Sequence, residues 1–251
     1  MGLSSTVWFV IAVIALVAGA ALLLADRRGA GGAGGGGSAS TRDRKRWAAM
    51  RGWEYLDHDP VLPSRWRYGT IHQGGPGEAR RLMSGTVPTP DGPRHAHVFD
   101  HEQAGRVSSV LVAVQVQAQL PAAVELRLPS APLPDDAGLD LLQPVGERYA
   151  FVSDAEAVRP LLTERLADAG DAVGDDVELL WAEDSWVLAT APLDATPERL
   201  QDLLADLAEV ATALEEGLRA GPPSSPPTAS PSGSSSVSPS GSTSASKSLE
   251  R

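Results

Sequence analysis

The chain has 251 residues, a formal net charge of −11 and no cysteine, which removes disulfides, thiolate metal sites and Cys nucleophiles from consideration. The charge is segregated: between Asp26 and Arg46 six basic side chains (Arg27, Arg28, Arg42, Arg44, Lys45, Arg46) stand against two acidic ones (Asp26, Asp43), a local +4 that leaves −15 on the remainder. So acidic a remainder excludes a nucleic-acid partner, because phosphates need Lys and Arg to neutralise them, while the basic cluster beside an apolar run suits anionic lipid headgroups.

Residues 7–25, from Val7 to Ala25, read VWFVIAVIALVAGAALLLA without a charge. As a helix this stretch spans about 28 Å, close to the hydrocarbon thickness of a bilayer, and Trp8 sits where an interfacial aromatic belongs. A cleaved signal peptide needs a basic leader and a small-x-small site after the apolar stretch. Here the first six residues carry no basic side chain, and Ala18-Gly19-Ala20 lies inside the run. The expectation is therefore an uncleaved single-pass membrane anchor, with residues 1–28 as helix and basic flank. Because Arg27, Arg28 and the 42–46 cluster all follow the helix, the positive-inside rule predicts N-terminus out and the rest of the chain cytoplasmic. The Ser/Thr/Pro-rich tail pulls the other way, since such segments form glycosylated stalks outside cells.

Residues 29–40 are Gly-rich and read as a flexible linker, followed by a soluble domain over residues 41–221. A short helix is expected over 42–51, capped by Thr41 and ended by Gly52. The next stretch is extended or turn-like, with Asp59-Pro60 and Pro63 barring a helix. Residues 78–87 and 94–101 alternate and flank the turn PTPDGP, which predicts a hairpin. Residues 107–120 alternate most clearly: Val110, Val112, Val114, Val116, Ala118 and Leu120 on one side, Gln115, Gln117 and Gln119 on the other. That pattern predicts a half-buried antiparallel strand. Residues 124–128 and 149–152 give further strands. Ser153 and Glu156 have capping-box spacing, and Pro160 should split the helix they open. Residues 177–181 and 185–191 form a tight hairpin. Thr196-Pro197 then opens an amphipathic helix bearing Leu200, Leu203, Leu204, Leu207, Val210, Leu214 and Leu218. Residues 222–251 have nothing to bury and read as a disordered tail. The fold class is α+β: a mostly antiparallel sheet, a covering C-terminal helix, and one transmembrane helix before them.

The candidate chemistry is sparse. His95, His97 and His101 share one face of a strand, and two histidines at that spacing can reach one metal ion. A site would need further ligands from His58 or His72, so the run reads foremost as a solvated hairpin face, and no metal, cofactor or catalytic residue is assigned. Asp135-Asp136, Asp175-Asp176 and the pair flanking His58 (Asp57, Asp59) read as turn acids rather than a catalytic couple, which requires two carboxylates across a cleft. No phosphate-binding, nucleophile-elbow or zinc-protease motif is present in context. Trp47, Trp53, Tyr55, Trp66 and Tyr68 crowd together with Arg51, Arg65 and Arg67, as a core layer or as a headgroup-binding surface.

These segments carry a resemblance. RKRWAAMRGWEYLDHDPVLPSRW, then GEARRLMSGTV, then a strand leading into LPAAVELRLP, resemble an uncharacterised family of actinobacterial single-pass membrane proteins. The likeness runs from Arg44 to about Leu214. It implies an N-terminal membrane helix and an α+β domain, with no activity or site residues to carry over. The long Ser/Pro tail departs from the family pattern. The residues and the resemblance together point to a membrane-anchored, non-enzymatic binding or scaffolding module. A tethered hydrolase using dispersed His and Asp residues is one alternative, and a lipid- or envelope-sensing module is another.

Overall fold

The computed structural model describes residues 33–71, 75–134 and 138–221. The expected anchor at 7–25, Arg27, Arg28, His72, Asp135, Asp136 and the tail from residue 222 lie outside the described residues. Among those described, no helix is long and apolar enough to cross a membrane.

The chain runs α1 (Ala33–Arg51), β1 (Glu54–Asp59), β2 (Glu78–Val87), β3 (Arg94–Gln103), β4 (Arg106–Gln115), β5 (Val124–Arg127), β6 (Asp140–Val145), β7 (Arg148–Val152), α2 (Ala155–Val158), α3 (Glu164–Ala172), β8 (Leu179–Glu183), β9 (Trp186–Ala191) and α4 (Pro197–Ala220). Short 3-10 turns occupy Leu62–Arg65, Gly69–Ile71 and Arg159–Leu161. The nine strands make one sheet in the order β1-β2-β3-β4-β9-β8-β5-β7-β6, and every neighbouring pair is antiparallel. The protein is therefore α+β, with a large antiparallel sheet and a C-terminal helix.

The helices cover one face. α4 buries Leu200, Leu203, Leu204, Leu207, Val210 and Leu214 against Val98, Val110, Val112, Val114, Val187 and Ala189. Its start is set by Thr196, whose hydroxyl accepts from Arg199 N–H, with Pro197 in the first turn. Further along the chain's second half, α3 buries Leu166 and Ala169 in the same layer. A buried ion pair locks α4 to the sheet: Arg94 bonds both carboxylate oxygens of Glu215 at 2.5 and 3.1 Å and Thr212 at 3.1 Å. Burial pushes the Glu215 carboxyl up, but the hydrogen bonds from Arg94 and from Gln117 N–H outweigh it, and its pKa is lowered. At the other end, α1 inserts Trp47 and Ala48 into the layer, and Arg44 lies 2.7 Å from Asp100, which also pairs with Arg81.

Several elements differ from the sequence reading. α1 starts at Ala33, within the expected linker, despite glycine's cost in a helix; its packed C-terminal half gives the tertiary support that short helices need. β1 and β6 form at the two sheet edges, where most side chains are exposed or half-buried and no alternation marks them. β4 ends at Gln115 rather than Leu120, and residues Ser109 to Val114 are buried without a break, because the sheet is covered on both sides. Pro160 does split its helix, into α2 and α3. The cap is Asp154, which accepts from Glu156 and Ala157 N–H, whereas Ser153 accepts from Ala123 N–H.

Candidate functional site

The sheet's other face is covered by a loop instead of a helix. β4 points Leu111 and Ala113 to it, β9 points Leu188, β8 points Leu179 and Trp181, and β3 points Phe99. Over these sit Leu62, Trp66 and Ile71. Trp66 stacks on Phe99 (5.9 Å between ring centroids, 8° between planes) and meets Trp186 edge-on at 5.8 Å.

Two buried carboxylates hold this loop down. Glu183 accepts from the N–H groups of Arg67 and Tyr68 and from the Trp181 indole at 3.0–3.2 Å. Burial raises its pKa even against those donors. Glu125 accepts from Gly69 N–H at 2.6 Å and pairs with Arg127 at 2.6–2.7 Å. Gly69 has φ +65°, and a Cβ there would stand 2.6 Å from the Trp181 ring. Both carboxylates are thus spent on backbone donors and structural pairs.

Beyond the clamp the face is open. A cavity of about 410 Å³ lies between the Thr70 turn, the end of β4, the end of β9 and the 131–132 loop, with Arg127, Glu178 and Leu193 in its wall. Its lining includes Thr70, Ser109 and Thr190, whose hydroxyl oxygens are buried without a hydrogen-bond partner among the described residues. Leaving such a group unmet costs about 1–3 kcal/mol. A second cavity of about 310 Å³ adjoins it, shares Arg127 and Ala131, and is lined by Leu128, Leu133, Leu141, Tyr149 and Phe151. Leu133 and Leu141 are 69% and 60% exposed. Arg127, 3% exposed, lines both cavities.

Except for Asp175 and Asp176, the described residues singled out in the sequence lie elsewhere. His97 and His101 are on the loop-covered face of β3, held by different partners. His97 stacks on Trp186 at 5.0 Å and bonds Ser84 at 2.9 Å. Burial, with Arg65 and His95 adding to it, lowers its pKa to about 4. His101 bonds Pro76 O at 2.8 Å and has Ser108 Oγ at 3.4 Å, but that hydroxyl donates to the His101 carbonyl. His95 is exposed. His58 pairs with Glu78 at 2.8 Å. Among the described residues no three His, Cys, Asp or Glu gather as a metal site. Asp57 pairs with Lys45, Asp59 caps the 62–65 turn, and Asp176 pairs with Arg199. Asp175 and Asp176 line the larger cavity.

The basic cluster also changes meaning. Arg44, expected at anionic lipid, is 6% exposed and spent on Asp100. Lys45 pairs with Asp57 and lies over the Tyr55 ring. Helix geometry explains this: with residues Trp47 and Ala48 in the core, position 44 falls on the same face one turn earlier. The aromatic segment is core as well, with Trp47, Trp53 and Trp66 at 6%, 8% and 2% exposure, and Arg51 lies over Trp47 and Trp53. Sequence reading missed Thr70, Ser109, Thr190 and Arg127, which no local motif links.

Comparison with known proteins gives this fold a family. The family model described as trehalose monomycolate transport factor TtfA matches residues 5–250. Trehalose monomycolate transport factor A of Mycolicibacterium smegmatis is 25% identical over 186 residues, 74% of this chain and 62% of that protein, so the match spans about three-fifths of that relative's length. The crystal structure of the mycobacterial trehalose monomycolate transport factor A has the same fold, with a TM-score of 0.61 at 22% identity over 69% of this chain and 93% of that one. The actinobacterial resemblance seen in the motifs is thereby given a more definite family. With the family model matching from residue 5 to residue 250, the chain belongs to the trehalose monomycolate transport factor TtfA family.

Proposed function

We propose that this chain is a non-enzymatic envelope factor that supports the transport of a trehalose mycolate ester, on the ground that its family is described as trehalose monomycolate transport factors. The observation that carries the reading is the family match across residues 5–250. The geometry agrees with a binding or scaffolding part: the buried carboxylates fasten a loop, the histidines are dispersed, and two neighbouring cavities open on the loop-covered face. In this reading residues 7–25 anchor the chain in the membrane with the sheet domain on the cytoplasmic side, as the flanking basic residues suggest.

Deletion of the chain in the producing organism tests the role. The trehalose monoester should accumulate in the inner membrane while its outer-envelope products fall and its synthesis continues. Unchanged envelope products, or a block in synthesis, would overturn it. Protease added to spheroplasts tests the topology. Protection of residues 222–251 supports the orientation, and digestion reverses it.

A further inference from the structure

We propose that the apolar groove between β7 and the chain leaving β5 receives the basic outer face of α1 from a second copy of this chain, so that copies associate head to tail. The proposal does not depend on the transport role.

The groove is built by a crossing. In the order β5-β7-β6 the chain leaving β5 has to cross β7 to reach β6. Ala131 and Leu133 of that crossing line the cavity of about 310 Å³ together with Leu141, Tyr149 and Phe151. Leu133, Leu141 and Tyr149 are well exposed, and so is Leu193 in the wall of the adjoining cavity. Large apolar side chains gathered in this way mark a docking surface, whereas single exposed ones do not.

Charge selects the occupant. Residues 116–195, which supply β5 to β9, carry sixteen acidic side chains against four basic ones. Asp140 is exposed beside the groove, and Asp175 and Glu178 are exposed in the wall of the adjoining cavity. The cation of that wall, Arg127, is already met by Glu125. Neither Asp175 nor Glu178 makes an ion pair among the described residues. A rim of this sign repels an anionic bilayer. It also repels itself, so two copies cannot pair groove to groove. Residues 41–115, which supply β1 to β4 and the packed part of α1, carry eleven basic side chains against eight acidic ones. The strand order places β1 and β6 at opposite ends of the sheet.

α1 offers the matching surface. With Arg44, Trp47 and Ala48 buried, Arg46 and Met50 lie one helical turn apart on the outer side. Both are exposed, Met50 at 69%, and Arg46 makes no ion pair among the described residues. Residues 41–51 hold five basic side chains and one acid, Asp43. The unbranched thioether of methionine fills irregular apolar gaps and packs well against aromatic rings, which suits Tyr149 and Phe151. With Met50 seated there, Arg46 is left for the acidic rim. The contact joins two different surfaces, so it does not close at two copies but continues into rings or chains.

The chain has no cysteine, so single cysteines report the contact. Met50→Cys and Leu141→Cys forms of the full chain, carrying different tags, are mixed in detergent with micelles in excess and treated with a short bismaleimide. Cross-linking of unlike chains, faster than of like chains, is expected. Arg46→Glu or Glu178→Arg, made in both chains, should slow it about 3- to 10-fold. The two reversals together should restore it, because each interface again opposes a cation to an acid. All four positions are exposed, so the substitutions leave the core intact. Like pairs that form as fast as the unlike pair would overturn the proposal. So would the absence of a cross-link, a rate indifferent to either reversal, or a double variant no faster than the single ones. Cross-linking of Leu141→Cys in intact cells to a different protein alone would give the groove another occupant and overturn it as well.

Discussion

At the scale of single residues, two positions decide how the loop sits on the sheet. Gly69 is in the left-handed region and its Cα faces the Trp181 ring, so a Cβ would be 2.6 Å from that ring. Trp181 is fully buried and cannot retreat. Gly69→Ala should therefore cost about 2–5 kcal/mol, the sum of left-handed strain and overpacking. Gly52 has nearly the same φ, +67°, with nothing near its would-be Cβ, and Gly52→Ala should cost only about 1 kcal/mol. Denaturant melts of the two variants check the difference, and equal losses would show that the ring contact is unimportant. His97 gives a pH dependence. Its folded pKa is lowered to about 4, by burial first, below the ordinary value of about 6.5. Above pH 6.5 both folded and unfolded forms are neutral there and the contribution is full. As the pH falls from 6.5 toward 4, the unfolded chain takes up the proton first and stability is lost. His97→Phe keeps a ring against Trp186 and removes the titration. The drop in melting temperature between pH 7 and pH 4.5 should be smaller in this variant, and an unchanged drop would assign it to other groups.

At the scale of elements, α4 is fixed by more than its leucines. Arg94 and Glu215 are 2% exposed each and hydrogen-bonded to one another. Glu215→Ala leaves a buried guanidinium without its counter-charge and leaves Gln117 N–H without an acceptor, a loss of about 3–5 kcal/mol. Replacing both, as Arg94→Met with Glu215→Leu, removes the stranded charge and should recover part of that loss. Chemical denaturation of the single and double variants measures the coupling, and strict additivity would deny it. α4 itself is legible in the sequence from the Thr196-Pro197 start and its leucine spacing, as are both hairpins, because each rests on local turn and cap chemistry. β1 and β6 are not, since these edge strands are exposed or half-buried along most of their length and show no period-2 alternation. The valine alternation in β4 identifies the helix-covered face correctly, but it cannot show that Leu111 and Ala113 meet a loop folded over from residues 62–71. The larger cavity is illegible for the same reason: Thr70, Ser109 and Thr190 meet only through the pairing of β4 with β9 and the clamping of the loop. The histidine run draws attention in the sequence because it is contiguous, and contiguity along a strand says nothing about convergence with other elements.

At the scale of the whole molecule, the strand order makes the domain one cooperative body built from two halves. Strands β1 to β4 come from residues 54–115 and follow one another across the sheet, while β5 to β9 make the remainder. The halves meet where β4 pairs with β9, from Val110 opposite Ala191 to Gln115 opposite Trp186. Over that seam lies α4, packed on β2, β3, β4 and β9 and, on its other flank, on α3, which covers the far half. The seam strands are separated by about 75 residues of chain, so their pairing closes a long loop and is entropically expensive; the burial of α4 offsets that cost. Leu207, fully buried in α4, is the position at which to weaken it. Leu207→Ala should remove about 2–5 kcal/mol. If α4 is the link, the loss must appear equally in both halves. Amide hydrogen exchange of the variant should then show protection falling together in β2–β3 and in β5–β7, with a single unfolding transition. Persistence of β2–β3 protection while β5–β7 exchanges would show instead that the halves are separate units sharing an edge.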